Sequence, residues 1–391
     1  MRKRGRVQLA NAEVIGRGVH QIVKTINKRA HIGFAADEMV GISFGARGGF
    51  GDLHPRILRE QKASCAYWHN CAITNFTTMN SKKTLALKVD VDTLKGTQIG
   101  VPQLMALFKK HEADATFLFS LGPDHTGRAI KRVFRPGFLG KVKRTSVIEH
   151  YGFPTLLYGT LLPGPDIGKR CADILRATAD AGFECGIHTW DHVRWQDGVA
   201  DASLAWTRRE MAQAQDRFTD IFKTPAKTHG AAGWQMSTHA LRLTEEFGFD
   251  YCSDGRAREG CGRPHFPVVN GEIISCPQIP TTLPTLDELI GLDGTTPENV
   301  ADRLLALTAK PSPTPHVFTL HAELEGMRFL LVLDKLLSEW REQGYTLAST
   351  RHVFETAPTL PYFSVEHAEL PGRSGTLLLQ GKPFLPVAEA A

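Results

Sequence analysis

From Thr84 onward the apolar positions switch between two periods. Short runs rich in Val, Leu, Ile and Phe read as strands: Thr84–Asp92 (TLALKVDVD), Ala115–Leu121 (ATFLFSL), Phe183–His188, Lys227–Ala231, Tyr251–Ser253, Ile273–Cys276 and His316–Leu320. Between them, apolar residues recur at helical spacing. Val101, Leu104, Met105 and Phe108 mark a helix over Val101–His111, and Ile167, Cys171, Ile174 and Leu175 mark another with Asp166 as its N-cap. Leu204–Phe222, Ser237–Phe247 (capped by Ser237), Pro297–Thr308 and Leu330–Trp340 follow. Strands alternating with helices over roughly 260 residues predict a parallel α/β sheet. The count of about seven strands favours a closed or nearly closed (β/α) barrel over an open doubly wound sheet. No GxGxxG follows the first strand, which weakens a dinucleotide-binding reading.

Residues 1–78 lack this alternation. Val14, Val19, Ile22, Val23 and Ile26 suggest one short helix, and Gly41–Gly51 is glycine-rich. The character of the chain changes at Met79, so that either Met79 is the true start and 1–78 is upstream sequence from a mis-assigned start, or 1–78 is a real basic extension. The expected organisation is an N-terminal extension over 1–78, a barrel over 79–360 and a C-terminal tail over 361–391. Charge sharpens the break. Residues 1–78 hold 12 Lys and Arg against 5 Asp and Glu, whereas residues 79–391 hold 34 against 36. The formal charge of +5 therefore arises in the first fifth, and no nucleic-acid partner is expected for the rest.

The 391 residues, 42% hydrophobic and 22% charged, exclude wholesale disorder. No apolar run is long enough for a transmembrane helix. The basic start is not followed by an apolar signal region, since Asn11, Glu13 and Arg17 interrupt it, so a protein that is not exported is expected. Seven cysteines without a CxxC pair fit reduced thiols better than a disulfide framework or a zinc finger.

Polar residues gather where strands end. Asp90 and Asp92 close the first strand, His188 and His192 follow the third, Asp254 follows Tyr251–Ser253 and His321 follows His316–Leu320. In an α/β barrel those ends meet at one mouth. His188-Thr-Trp-Asp-His192 places two imidazoles four apart, on one face if the segment is a helical turn. With Asp92 they make a two-histidine, one-carboxylate set that leaves positions open for water and substrate. Asp90 and Asp92 lie two apart in an extended segment, so both carboxylates point the same way. One can ligate while the other takes a proton from water.

The order Val89-Asp90-Val91-Asp92-Thr93, His188-Thr-Trp-Asp-His192, Tyr251-Cys-Ser-Asp254 and Leu320-His321-Ala-Glu323 resembles the polysaccharide deacetylase (NodB homology) superfamily. More narrowly, KVDVDTLKGT, GVPQLM, FSLGPD, EHYGF, PGPDIG, HTWDH, AAGW, IPTTLPTLDELIG, LHAELEG and PGRSG resemble its branch of deformylases acting on 4-deoxy-4-formamido-L-arabinose-phosphoundecaprenol. The resemblance runs from about Lys83 to Gly381 and leaves 1–78 uncovered. It implies a distorted (β/α) barrel of about seven parallel strands. It also implies Asp90 as general base, Asp92, His188 and His192 as ligands of a divalent metal ion (Zn, Mn, Co or Ni), and His321 as general acid. Asp254 falls in the motif whose acid supports the catalytic pair. Most deacetylases orient the base with an arginine from an Arg-Pro-Pro-Tyr-Gly-like motif. Here His229-Gly-Ala-Ala-Gly233-Trp234 stands at that place, as AAGW does in the deformylase branch, and His229 replaces a small residue.

The implied reaction removes formyl from the lipid-linked sugar, leaving formate and a free 4-amino sugar for lipid A modification and polymyxin resistance. The alternative is a deacetylase of the same fold acting on N-acetylated polysaccharide. A polyprenyl substrate implies a cytoplasmic enzyme, peripheral on the inner face of the bacterial inner membrane. The stretch Arg128–Arg144 suits that anionic surface: Arg128, Lys131, Arg132, Arg135, Lys141, Lys143 and Arg144 interleave with Ile130, Val133, Phe134, Phe138, Leu139 and Val142. Phe153, Leu156, Leu157, Tyr158, Leu161 and Leu162 would add apolar surface for the first isoprenes.

Overall fold

Strand β1 (Lys83–Val91) is apolar enough to be buried over its last seven residues, and the rest of the fold is arranged on its two sides. The computed structural model describes residues 83–129, 157–258, 262–310, 312–370, 373 and 375–384. The chain divides into units Met1–Thr74 and Asn75–Ala391. The helix and glycine-rich stretch expected within 1–78, and the basic–apolar stretch over 130–156, lie outside the described residues.

The strands are β1, β2 (Thr116–Ser120), β3 (Glu184–Thr189), β4 (Thr228–His229), β5 (Tyr251–Cys252), β6 (Phe266–Val269), β7 (Glu272–Ile273), β8 (His316–His321), β9 (Tyr345–Ala348), β10 (Tyr362–Ala368) and β11 (Leu377–Pro383). The helices are α1 (Val101–Lys110), α2 (Ile167–Arg170), α3 (Ala172–Asp180), α4 (His192–Gly198), α5 (Leu204–Phe222), α6 (Thr238–Glu246), α7 (Leu286–Leu289), α8 (Val300–Thr308), α9 (Leu330–Glu342) and α10 (Thr350–Glu355). Asp166 and Ser237 cap α2 and α6 as expected, accepting from Lys169 N and Ala240 N.

Seven strands form one parallel sheet in the order β5-β4-β3-β2-β1-β8, with β9 also pairing β1. The expected parallel sheet is therefore present, curled but open. Its edge strands β5 and β8 are both hydrogen-bonded to the irregular stretch 277–283. On one side Cys252 N donates to Pro277 O (2.8 Å) and Ile279 N to Cys252 O (2.7 Å); on the other, Thr282 N donates to Val317 O (3.1 Å).

One strand of the sequence reading is corrected. Residues 272–273 do not join the parallel sheet but pair antiparallel with β6, in a second sheet ordered β11-β10-β6-β7. The cause is local: Asn270 and Gly271 both adopt positive φ (51° and 82°) and close a two-residue hairpin. The seventh parallel strand is instead β9, a four-residue stretch with exposed Thr346 that is too short to carry a clear period. Residues 361–384 contribute β10 and β11, and Leu377 and Leu379 pack with Trp234.

A close approach positions the end of β8. Gly100, at the start of α1, has ordinary helical φ and ψ, yet a Cβ there would lie 2.0 Å from Ala322 O. Gly100→Ala should lower stability by about 1–3 kcal/mol, the usual cost of overpacking. Urea unfolding checks this; an unchanged midpoint would show that the contact has slack.

Candidate metal centre and active site

The site begins with the alternation of β1. Residues two apart share a face, so Lys88, Asp90 and Asp92 project together while Leu87, Val89 and Val91 join the apolar core on the other side. In the sheet register Asp90 lies beside Leu118 of β2 and beside His321 of β8. The turn after β1 is held by a buried carboxylate. Glu323 Oε1 accepts from Asp92 N (3.0 Å), Thr93 N (2.7 Å) and Thr93 Oγ1 (2.8 Å). Burial, with Asp92 nearby, pushes the Glu323 carboxyl well above its ordinary value. Asp124 Oδ2 fixes the next residue by accepting from Leu94 N (3.0 Å).

His188 is near the C-terminal end of β3 and His192 is the first residue of α4. The two imidazoles thus do not share a helical turn, which corrects that expectation. The intervening chain turns from strand to helix, and Asp191 caps the new helix by accepting from Arg194 N (3.1 Å). His125 Nδ1 lies 2.6 Å from the other Asp191 oxygen. The turn still brings the rings to 5.3 Å between centroids. His188 Nε2 is 3.2 Å from Asp92 Oδ1, and His192 Nε2 is 3.4 Å from Asp92 Oδ2.

Asp92, His188 and His192 can hold a divalent metal ion, and their surroundings fit one. Their ligand atoms lie within 4.8 Å of one another. Asp92 Oδ1 is buried and makes no hydrogen bond. His188 Nδ1 is 2.5 Å from Gly230 O, so it carries the proton and leaves the Nε2 lone pair facing Asp92. Burial opposes the charge of Asp92, but the imidazoles of His192 and His188 hold its carboxyl well below the usual range. His188 is raised in turn, burial opposing and Asp90 and Asp92 prevailing. A site that stabilises positive charge this way, with two nitrogens and one oxygen, suits Zn, Mn, Co or Ni.

Asp90 is buried beside this set. Its Oδ2 accepts from Lys88 Nζ (3.1 Å), while Oδ1 has no hydrogen-bond partner and lies 3.8 Å from His188 Nδ1. His321 closes β8, its backbone N donating to Glu325 Oε2 (2.7 Å), and its Nδ1 is buried without a hydrogen bond. Burial raises the Glu325 carboxyl to about 7 against the pull of His321. The structure therefore brings together five of the six residues singled out from sequence: Asp90, Asp92, His188, His192 and His321.

Asp254, the sixth, makes no hydrogen bond to these five among the described residues. It is fully buried and accepts from Ala231 N (2.9 Å), His229 Nδ1 (2.6 Å) and Gln278 Nε2 (2.9 Å). Its place is under the His229–Trp234 connection, and His229 is accounted for as its partner. His229, Cys252 and Asp254 form a second cluster with ligand-like spacing. There burial and Cys276, whose Sγ is 3.5 Å away, push the Cys252 thiol well above its ordinary value, so it is held as a thiol and is a poor ligand. Sequence reasoning gave no role to Lys88, Glu325 or Glu323, although Glu323 ends the quoted Leu320–Glu323 motif. The available signals were a lysine inside an otherwise apolar strand, and two acids within four residues of the terminal histidine of β8.

Comparison with known proteins agrees with this geometry. A family profile described as polysaccharide deacetylase matches residues 78–252. A Shewanella sediminis protein named a probable 4-deoxy-4-formamido-L-arabinose-phosphoundecaprenol deformylase ArnD is 34% identical over 294 residues, covering 75% of this chain and 93% of that protein. A protein of the same name from Wigglesworthia glossinidia brevipalpis is 31% identical, over 73% of this chain and 99% of its own length. The crystal structure of a Mycobacterium smegmatis protein named as a polysaccharide deacetylase superposes with a TM-score of 0.51 at 16% identity, over 76% of this chain and 99% of that one, and so shares the fold.

Asp92→Ala, His188→Ala or His192→Ala should each sharply lower bound metal and activity, because a three-ligand site cannot lose one donor and stay tight. Asp90→Asn should keep the metal but slow turnover by about 10²–10⁴-fold. Metal analysis and steady-state kinetics on the same preparations check both. Retained metal in all three ligand variants would move the site elsewhere.

Proposed function

The chain belongs to the polysaccharide deacetylase family and is a metal-dependent amide hydrolase; we propose that its substrate is 4-deoxy-4-formamido-L-arabinose linked to undecaprenyl phosphate, from which it removes the formyl group. The observation carrying this reading is the likeness to relatives named as that deformylase, over 93% and 99% of their own lengths.

The chemistry follows from the residues. Asp92, His188 and His192 would hold the divalent ion, which supplies Lewis acidity toward the formamide carbonyl and the attacking water. Asp90 Oδ1, buried and without a partner, takes the proton that the water loses. His321 gives a proton to the departing nitrogen, since an amide anion cannot leave unassisted. Water adds to the formyl carbon, the C–N bond breaks, and formate and the free amine result. Asp254 supports this set at a distance, through the backbone it holds at Ala231.

A polyprenyl substrate brings the enzyme to a membrane surface. No helix among the described residues is long and apolar enough to cross a membrane. The turn bonded to Arg128, the first cation of the basic stretch, suits peripheral contact. Leu161 and Leu162 are 81% and 44% exposed, and Arg128 Nε donates to Gly159 O (2.9 Å) in the same turn. The domains proposed with it are an extension over 1–78, the hydrolase barrel over 79–360 and a C-terminal tail over 361–391.

Turnover of the formylated lipid-linked sugar should exceed that of its N-acetyl counterpart and of acetylated oligosaccharide, read by mass spectrometry as loss of one CO unit from the sugar. Preference for acetylated oligosaccharide would instead favour the deacetylase reading. Replacing Arg132, Arg135, Lys141 and Lys143 by Gln should weaken binding to anionic vesicles, at about 1 kcal/mol per cation, and raised salt should mimic the change. Leu161→Ser with Leu162→Ser should weaken binding with little salt dependence. Vesicle co-sedimentation separates the two effects, and unchanged partitioning in both would remove the membrane from the account.

A further inference from the structure

Lys88 is a fully buried lysine whose ammonium has a defined seat. It lies on β1 two residues before Asp90, and its Nζ donates to Asp90 Oδ2 at 3.1 Å. The other oxygen, Oδ1, has no hydrogen-bond partner. The ammonium is 5.4 Å from the centroid of the Trp234 ring, within cation–π range. A Cβ at Gly230 would lie 2.9 Å from Lys88 Cε and 3.3 Å from Nζ, so only glycine leaves room for the side chain to pass. Trp234 is itself pinned. Its indole N–H donates to Thr281 Oγ1 (3.3 Å), and the guanidinium groups of Arg256 and Arg373 lie 4.7 and 4.3 Å from its ring. Trp234 also holds a positive φ of 54°, a conformation that a bulky residue keeps only when its surroundings impose it.

We propose that Lys88 is the positioning residue of the reaction: seated by Gly230 and Trp234, it holds Asp90 Oδ2 so that Oδ1 alone faces the attacking water. With no exposed surface Lys88 does not touch substrate, so it acts through Asp90. The segment His229–Trp234 carries no lysine or arginine of its own. Its glycine and tryptophan instead shape the seat for a cation supplied by β1. The inference rests on Asp90 as the base and is independent of whether the acyl group is formyl or acetyl.

The test is a cycle of Lys88→Met, Lys88→Arg, Asp90→Asn and the Lys88→Met/Asp90→Asn double variant, each loaded with metal and assayed on whichever amide the parent hydrolyses. Lys88→Met should lower kcat by about 10²-fold or more while leaving KM and metal content per chain unchanged. Lys88→Arg should recover most of the rate, and the double variant should be no slower than Asp90→Asn alone. If Lys88→Met does not fold, Lys88→Gln takes its place in the same cycle. A parental kcat in the neutral variant would overturn the proposal. So would losses that multiply in the double variant, or a loss expressed mainly in KM. A parent that hydrolyses only acetylated sugars would overturn the substrate reading and leave this cycle intact.

Discussion

Three charged residues share one face of a strand that is otherwise a core element, and the structure depends on how those charges are answered. Lys88 and Asp90 answer each other as a buried pair. Removing one partner of such a pair costs about 3–5 kcal/mol, because the other is left uncompensated out of water. Asp92 is answered by two imidazoles, an arrangement that calls for positive charge between the three groups. A strand of apolar residues would fold as well or better. The polar face is intelligible as the site proposed above: one metal ligand, one base, and one cation to hold the base.

Around that face the backbone is held by further carboxylates. Glu323 gathers the donors of the turn after β1, Asp124 fixes Leu94, Asp191 starts the helix that presents His192, and Asp254 anchors the connection after β4. Each satisfies backbone N–H groups that a strand-to-helix turn leaves free, as buried donors require. The site is therefore set by the ends of rigid elements, whereas the exposed leucines of the 157–162 turn lie on irregular chain suited to an adaptable surface.

Much of this was legible in the sequence. The alternation in TLALKVDVD gives both β1 and the shared face of its acids, because period two is a property of any extended chain. The convergence of Asp92, His188, His192, Asp90 and His321 followed from placing strand ends at one mouth. What escaped was longer in range or more local than those periods. β9 is four residues long, and Asn270-Gly271 folds β7 away from the parallel sheet. Pairing HTWDH through a helical turn overlooked the strand end between its histidines. Lys88 was read as part of an apolar strand, since its partner and its aromatic seat become neighbours only when β1 and the segment after β4 are brought together. Asp254 was legible only as an acid after β5; its partners His229, Gln278 and Ala231 N come from segments that the sequence does not place beside it.

Whether Asp92, His188 and His192 hold the metal is read directly by X-ray absorption at the metal edge of protein loaded with one equivalent of Zn or Co. A shell of nitrogen and oxygen at about 2.0–2.2 Å with two imidazoles and no sulfur is expected, with loss of one imidazole in His192→Ala. A sulfur scatterer at about 2.3 Å, which only the His229–Cys252–Asp254 cluster could supply among the described residues, would contradict it.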